Sequence, residues 1–134
     1  GAVLRGDIQP IRVGARTNIQ EHALLHSSHD LPPCIVGEGV TIGHRAIVHG
    51  CSVGDNTIVG MGSTLLDAAV IGSNSIVGAH SLVPMRKTFP DGSMILGVPA
   101  KLTRPLTPEE IEGNRRSAAG YVAGGQRYRA LLNS

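Results

Sequence analysis

The stretch Val53-Gly54-Asp55-Asn56-Thr57-Ile58, Val59-Gly60-Met61-Gly62-Ser63-Thr64, Leu65-Leu66-Asp67-Ala68-Ala69-Val70 decides the fold. An aliphatic residue opens each unit of six, and a small or hydroxylated residue follows four places later. The pattern runs on through Ile71, Val77 and Val83, with Ser75 and Ser81 in the fourth place. Gly54, Gly60, Gly72 and Gly78 directly follow their aliphatic residues. A period of six is neither helical nor that of an ordinary alternating strand. It fits a short strand plus a corner, three of which close one coil of a parallel β-helix.

Working outward, Val36, Ile42 and Val48 keep the period upstream, and so do Val13, Ile19 and Leu25. Assigned in threes, these residues point inward from faces one, two and three of successive coils. Ala2 and Ile8 are assigned to faces two and three of a preceding coil. The irregular steps, Ile8 to Val13, Leu25 to Val36 and Val48 to Val53, then all fall at the corner from face three to face one. The long step is a loop from Ser27 to Pro33, where Pro32-Pro33 prevents regular pairing. After Val83 the repeat is expected to fade into a closing segment punctuated by Pro84, Pro90 and Pro99. Thr107-Pro108-Glu109-Glu110 then reads as a helix start, with Thr as N-cap and Pro in the first turn, and the helix is expected to run to about Leu131. The expected division is residues 1–104 as solenoid and 105–134 as a C-terminal helix packed on it.

Composition agrees with a narrow core. The 134 residues include one Phe, two Tyr and no Trp, but 18 Gly. Such a core is filled by Val, Ile, Leu and Ala. A net charge of +2 gives no argument for nucleic acid or a membrane surface, and no apolar run approaches a bilayer span. Two cysteines and no visible targeting segment point to a reducing, cytoplasmic setting.

His26 and His49 each follow an inward residue of face three, Leu25 and Val48, in adjacent coils. They should stack about 5 Å apart along the axis, close enough to share one ion. His44 lies two residues past Ile42, on face two, and should not reach that ion within its own chain. A neighbouring copy related by a threefold axis could present it there. Three histidines with an open position are the donor set of a catalytic zinc site. His22, His29 and His80 fit no shared column. Cys34 and Cys51 both precede an inward residue of face one by two places and should also stack, as a buried thiol pair or a disulfide.

The combined motifs resemble the gamma-class carbonic anhydrases. They are Arg5-Gly6-Asp7, Thr17-Asn18-Ile19-Gln20-Glu21, Gly43-His44 with His49-Gly50-Cys51, Ile58-Val59-Gly60-Met61-Gly62, and Gly97-Val98-Pro99-Ala100-Lys101. The resemblance implies an all-β, left-handed parallel β-helix with a C-terminal α-helix, although general chirality rules favour the other hand. It implies a homotrimer with metal sites at its interfaces, His26 and His49 from one subunit and His44 from the next. The metal would be Zn2+, or else Fe2+ or Co2+, and the reaction the reversible hydration of carbon dioxide to bicarbonate by a metal-bound hydroxide. Gln20 matches a residue that orients hydroxide or substrate. Glu21 stands where the family usually has Asp, and a supporting role behind His44 is expected. Arg5 and Asp7 match an interfacial ion pair, and Tyr121 a residue that reaches the site from the helix.

There are departures. The residue after Asp7 is Ile8 instead of an acid, and the loop after His26 carries only Asp30 where the prototype has a long acidic loop with a proton shuttle. Proton transfer to bulk is then expected to limit turnover and keep activity low. The first coils expected of the family are missing at the N-terminus. Coenzyme-A-dependent acyltransferases and thioesterases share the repeat, but three matched histidines argue against them. A trimeric scaffold or assembly subunit is the other alternative, and the intact ligand set argues against it.

Overall fold

The computed structural model describes residues 1–134. Its strands gather into three sheets, one per face. Face one holds Ile11–Val13, Cys34–Val36, Ser52–Val53, Val70–Ile71 and Thr88–Phe89. Face two holds Asn18–Ile19, Thr41–Ile42, Ile58–Val59, Ile76–Val77 and Ser93–Gly97. Face three holds Val3–Arg5, Leu24–His26, Ile47–His49, Thr64–Leu65 and Leu82–Val83. Each strand pairs parallel with its equivalent one coil away, so Ile42 lies beside Val59 and Val48 beside Leu65. The result is a left-handed parallel β-helix of hexapeptide repeats with a single C-terminal helix.

Leu25, Ile42, Val48, Val59, Leu65 and Val77 point inward and are fully buried. Each large aliphatic side chain so buried contributes about 1.5–3 kcal/mol. The small polar residues of the fourth place are buried too, and the neighbouring backbone satisfies them. Thr57 Oγ1 donates to Gly72 O at 3.0 Å, and Ser63 Oγ to Gly60 O at 2.7 Å. A buried hydroxyl with such a partner avoids the cost of an unpaired one.

Where a glycine follows an inward residue, it is not there for a left-handed backbone. A Cβ on Gly60 would fall 2.5 Å from Ala79 N in the next coil, so glycine permits the close stacking of coils. The left-handed conformation comes two places later, at Asn56, Ala68, Asn74, His80 and Arg86. For most L residues that region costs about 1–2 kcal/mol, which the surrounding coils offset.

Two expectations are corrected. Leu4, not Ile8, is the inward residue of face three in the first coil, in register with Leu25. Ala2 precedes it as Ala23 precedes Leu25, so Ala2 is not on face two. The repeat also does not fade after Val83. Phe89 and Ile95 continue faces one and two, both buried, with the prolines confined to corners.

Ser93–Gly97 closes the last coil by pairing antiparallel with Ala100–Pro105. The helix α1 spans Pro108–Leu132 and starts with a capping box. Thr107 Oγ1 accepts from Glu110 N, and Glu110 Oε2 accepts from Thr107 N at 2.9 Å. Arg104 grips both Glu110 oxygens, at 2.7 and 2.8 Å. That hydrogen-bonded guanidinium, then the backbone amide, lowers the Glu110 pKa to about 2. Buried Asn114 docks α1, its Nδ2 donating to Asn56 O and Ser75 O. The helix then runs back beside the face-two strands Asn18–Ile19 and Thr41–Ile42. It is not long and apolar enough to cross a membrane.

Candidate metal centre

Face three aligns Arg5, His26 and His49 in one column, because each directly follows an inward residue of a paired strand. The His26 and His49 ring centroids lie 5.2 Å apart, with the planes tilted by 59°. Nδ1 of His26 faces Nε2 of His49 at 3.2 Å. On the far side of each ring stands a carboxylate. Asp7 Oδ1 lies 3.2 Å from His26 Nε2, and Asp67 Oδ1 lies 2.6 Å from His49 Nδ1. Arg5 Nη1 donates to Asp7 Oδ2 at 2.5 Å. The partial loss of water works to raise the Asp7 carboxyl, but Arg5 outweighs it and holds the carboxyl below its ordinary value.

The chemistry of this chain of groups is specific. Ionised carboxylates only accept hydrogen bonds, so each outer ring nitrogen carries the proton. Where both rings are neutral, their inner nitrogens present lone pairs to one another across 3.2 Å. Two facing lone pairs repel unless a cation lies between or beside them. The donor set therefore fits a divalent metal, with each ring oriented by a carboxylate behind it.

Face two carries a second group of residues. His44 follows Ile42 by two places, and Glu21 follows Ile19 likewise, so they stack one coil apart. His44 Nδ1 lies 2.7 Å from Glu21 Oε2, leaving Nε2 directed outward, and the His44 side chain is 47% exposed. Glu21 is held below its ordinary pKa first by a backbone amide, then by the charge and hydrogen bond of His44. Both line a groove of about 440 Å³ with His22, Arg45, Met61 and His80. Gln20 sits at the same edge, its Nε2 donating to Asn18 Oδ1 at 3.2 Å. Tyr121 lies half exposed on α1, whose neighbours are the face-two strands.

The eight site residues expected from sequence thus separate into two groups on different faces: Arg5, Asp7, His26 and His49 on face three, Gln20, Glu21 and His44 on face two, with Tyr121 on the helix beside the latter. No three His, Cys, Asp or Glu side chains of one chain converge on a common ion position. Sequence reasoning missed Asp67. It lies two residues past inward Leu65, one coil beyond His49, and only the column assignment could have pointed to it.

Cys34 and Cys51 stack in adjacent coils as expected, and both are free thiols. Burial pushes the Cys34 thiol up to about 11 and raises Cys51 as well. Since the thiolate is the reactive form, both are inert near neutral pH.

The family model described as bacterial transferase hexapeptide (six repeats) matches residues 33–67 and 50–84. The carbonic anhydrase of Geobacillus kaustophilus is 45% identical over 129 residues, covering 96% of this chain and 70% of that protein. The mitochondrial gamma carbonic anhydrase 2 of Arabidopsis thaliana is 45% identical over 127 residues, which is 91% of this chain. The chain spans about half the length of that plant relative, 46%. Among solved structures, a hexapeptide transferase family protein from Anaplasma phagocytophilum is 41% identical. It superposes with a TM-score of 0.89 over 95% of this chain and 74% of its own.

Proposed function

Because this chain belongs to the gamma carbonic anhydrase family, we propose that it assembles as a homotrimer and hydrates carbon dioxide reversibly at metal sites shared between subunits. One observation carries the reading. A single chain has two incomplete half-sites, a facing imidazole pair on face three and an outward imidazole on face two. A threefold axis that sets face three of one copy against face two of the next completes both at once. The outer side of face three favours such contact, since Val3 is exposed and Leu24, Ile47 and Leu82 are only partly buried.

In this reading His26 and His49 hold the ion from one subunit and His44 from its neighbour. A zinc, iron or cobalt ion would supply the Lewis acidity that makes water a nucleophile near neutral pH. Asp7 and Asp67 keep the inner nitrogens of the pair unprotonated and aimed at the ion. Glu21 does the same for His44. Gln20, whose amide is already oriented by Asn18, is the neutral polar group assigned to orienting water or substrate. Carbon dioxide is neutral and apolar, and exposed Met61 offers it an apolar wall beside His44. Tyr121 is the aromatic residue that α1, packed beside face two, would bring toward this edge. The two free cysteines fit a reducing compartment such as the cytoplasm.

Mass measurement in solution, metal content and carbon dioxide hydration test the proposal together. The expected result is a trimer with about one ion per chain and hydration activity that His44→Ala removes. A monomer holding a full complement of metal would overturn it.

A further inference from the structure

Asp67 belongs to none of the motifs that mark the site, yet the geometry points to a definite role for it. Its side chain is only 13% exposed, and a nearly buried carboxylate is costly unless paired. Its one hydrogen-bond partner is His49 Nδ1, at 2.6 Å. Space for the carboxylate is made by Gly50, where a Cβ would fall 2.6 Å from Asp67 Oδ1. Gly50 also adopts a left-handed φ of +54° at the corner after His49. The two residues therefore act together on one histidine. Asp67 is the positioning residue for His49: it fixes the Nδ1–H tautomer and turns Nε2 toward the place opposite His26 Nδ1.

Asp7 holds His26 less firmly. It is half exposed, stands 3.2 Å from its ring nitrogen and is shared with Arg5. The carboxylates behind the two rings are thus unequal: His49 has a nearly buried one to itself, while the more deeply buried His26 ring shares an exposed one with Arg5.

The inference rests on the metal-site reading, and its test separates the two. Zinc is titrated calorimetrically into metal-stripped wild-type, Asp67→Asn and Asp67→Ala protein. In parallel, long-range 1H–15N spectra of the metal-stripped protein at pH 8.5, well above the titration of a free imidazole, report the His49 tautomer. Asp67→Asn, which keeps a neutral acceptor, is expected to weaken zinc about 10-fold, and Asp67→Ala up to about 100-fold. Wild-type His49 is expected as the Nδ1–H form, with Asp67→Ala moving it toward Nε2–H. Zinc binding by Asp67→Ala within twofold of wild type, or an Nε2–H His49 in the wild type, would overturn the inference. If Asp67→Ala does not fold, Asp67→Asn and the wild-type tautomer decide it. A folded wild type that takes up no zinc removes the metal-site reading, while the tautomer still decides the role of Asp67.

Discussion

Two edges of the same solenoid carry histidines, and they are built differently. On face three the strand register brings two rings together, and Asp67 is nearly buried behind one of them. On face two a single ring stands half exposed, and its partner Glu21 is more exposed still. The first edge is rigid because parallel pairing fixes the spacing of residues in one column. The second is held by one exposed pair of side chains, of a kind that contributes little in water. The contrast teaches that strand register can bring two rings together within one chain, while a lone ring on another face is left without a second ring beside it.

The largest test of this contrast removes ligands. His49→Ala and His44→Ala should each abolish metal binding, measured as metal per chain, while circular dichroism keeps the wild-type β spectrum. Retention of a full complement by either variant would show that the two edges do not share a site. Mixing makes the test sharper. Co-expressed His44→Ala and His49→Ala chains retain complementary edges, so random trimers should recover about one intact site in four. A site formed within one chain would recover none.

Next in size are inward residues under each edge. Leu25→Ala and Ile42→Ala should each destabilise by about 2–5 kcal/mol in denaturant unfolding. Only Leu25→Ala, beneath the ring pair, should also lower metal affinity at a temperature where both variants stay folded. Equal losses of affinity would mean that the pair is no more preformed than the lone ring.

The smallest effect lies in the helix beside face two. Glu110 titrates at about 2 in the folded chain, against an ordinary 4.5. Its support for the helix start is complete above the unfolded value near 4.5 and fades as pH falls through about 2. A loss of helical signal between those values, absent in Glu110→Gln, is the expected outcome. A pH-independent helix would show that the Arg104 contact contributes nothing to the cap.

The six-residue period made the solenoid, its three faces and the column of His26 and His49 legible, because spacing alone sets which residues stack. The helix start was legible for the same kind of reason, since Thr107 and Glu110 cap locally. What escaped reading depended on contacts between coils. Ile8 mimics Leu4 in sequence, because a five-residue corner exists elsewhere, at Val48 to Val53, and nothing local excludes another. Phe89 and Ile95 were hidden by Pro84 and Pro90, which look like breakers although they occupy corners, where no ladder donor is needed. Asp67 carries no motif because its partner lies 18 residues away, across a coil.

The loop from Ser28 to Pro33 leaves the solenoid directly after His26 and Ser27. It is cinched at its base by Ser27 Oγ donating to Pro32 O at 2.6 Å. Both sides of that base are pinned: His26 O accepts from Gly50 N, and Cys34 N donates to Pro10 O. Residues can therefore be added to or removed from this excursion without changing which residues stack. That makes it a natural splice point, where a foreign segment carrying a reporter or a gate could be grafted beside the imidazole pair with that pair left in place.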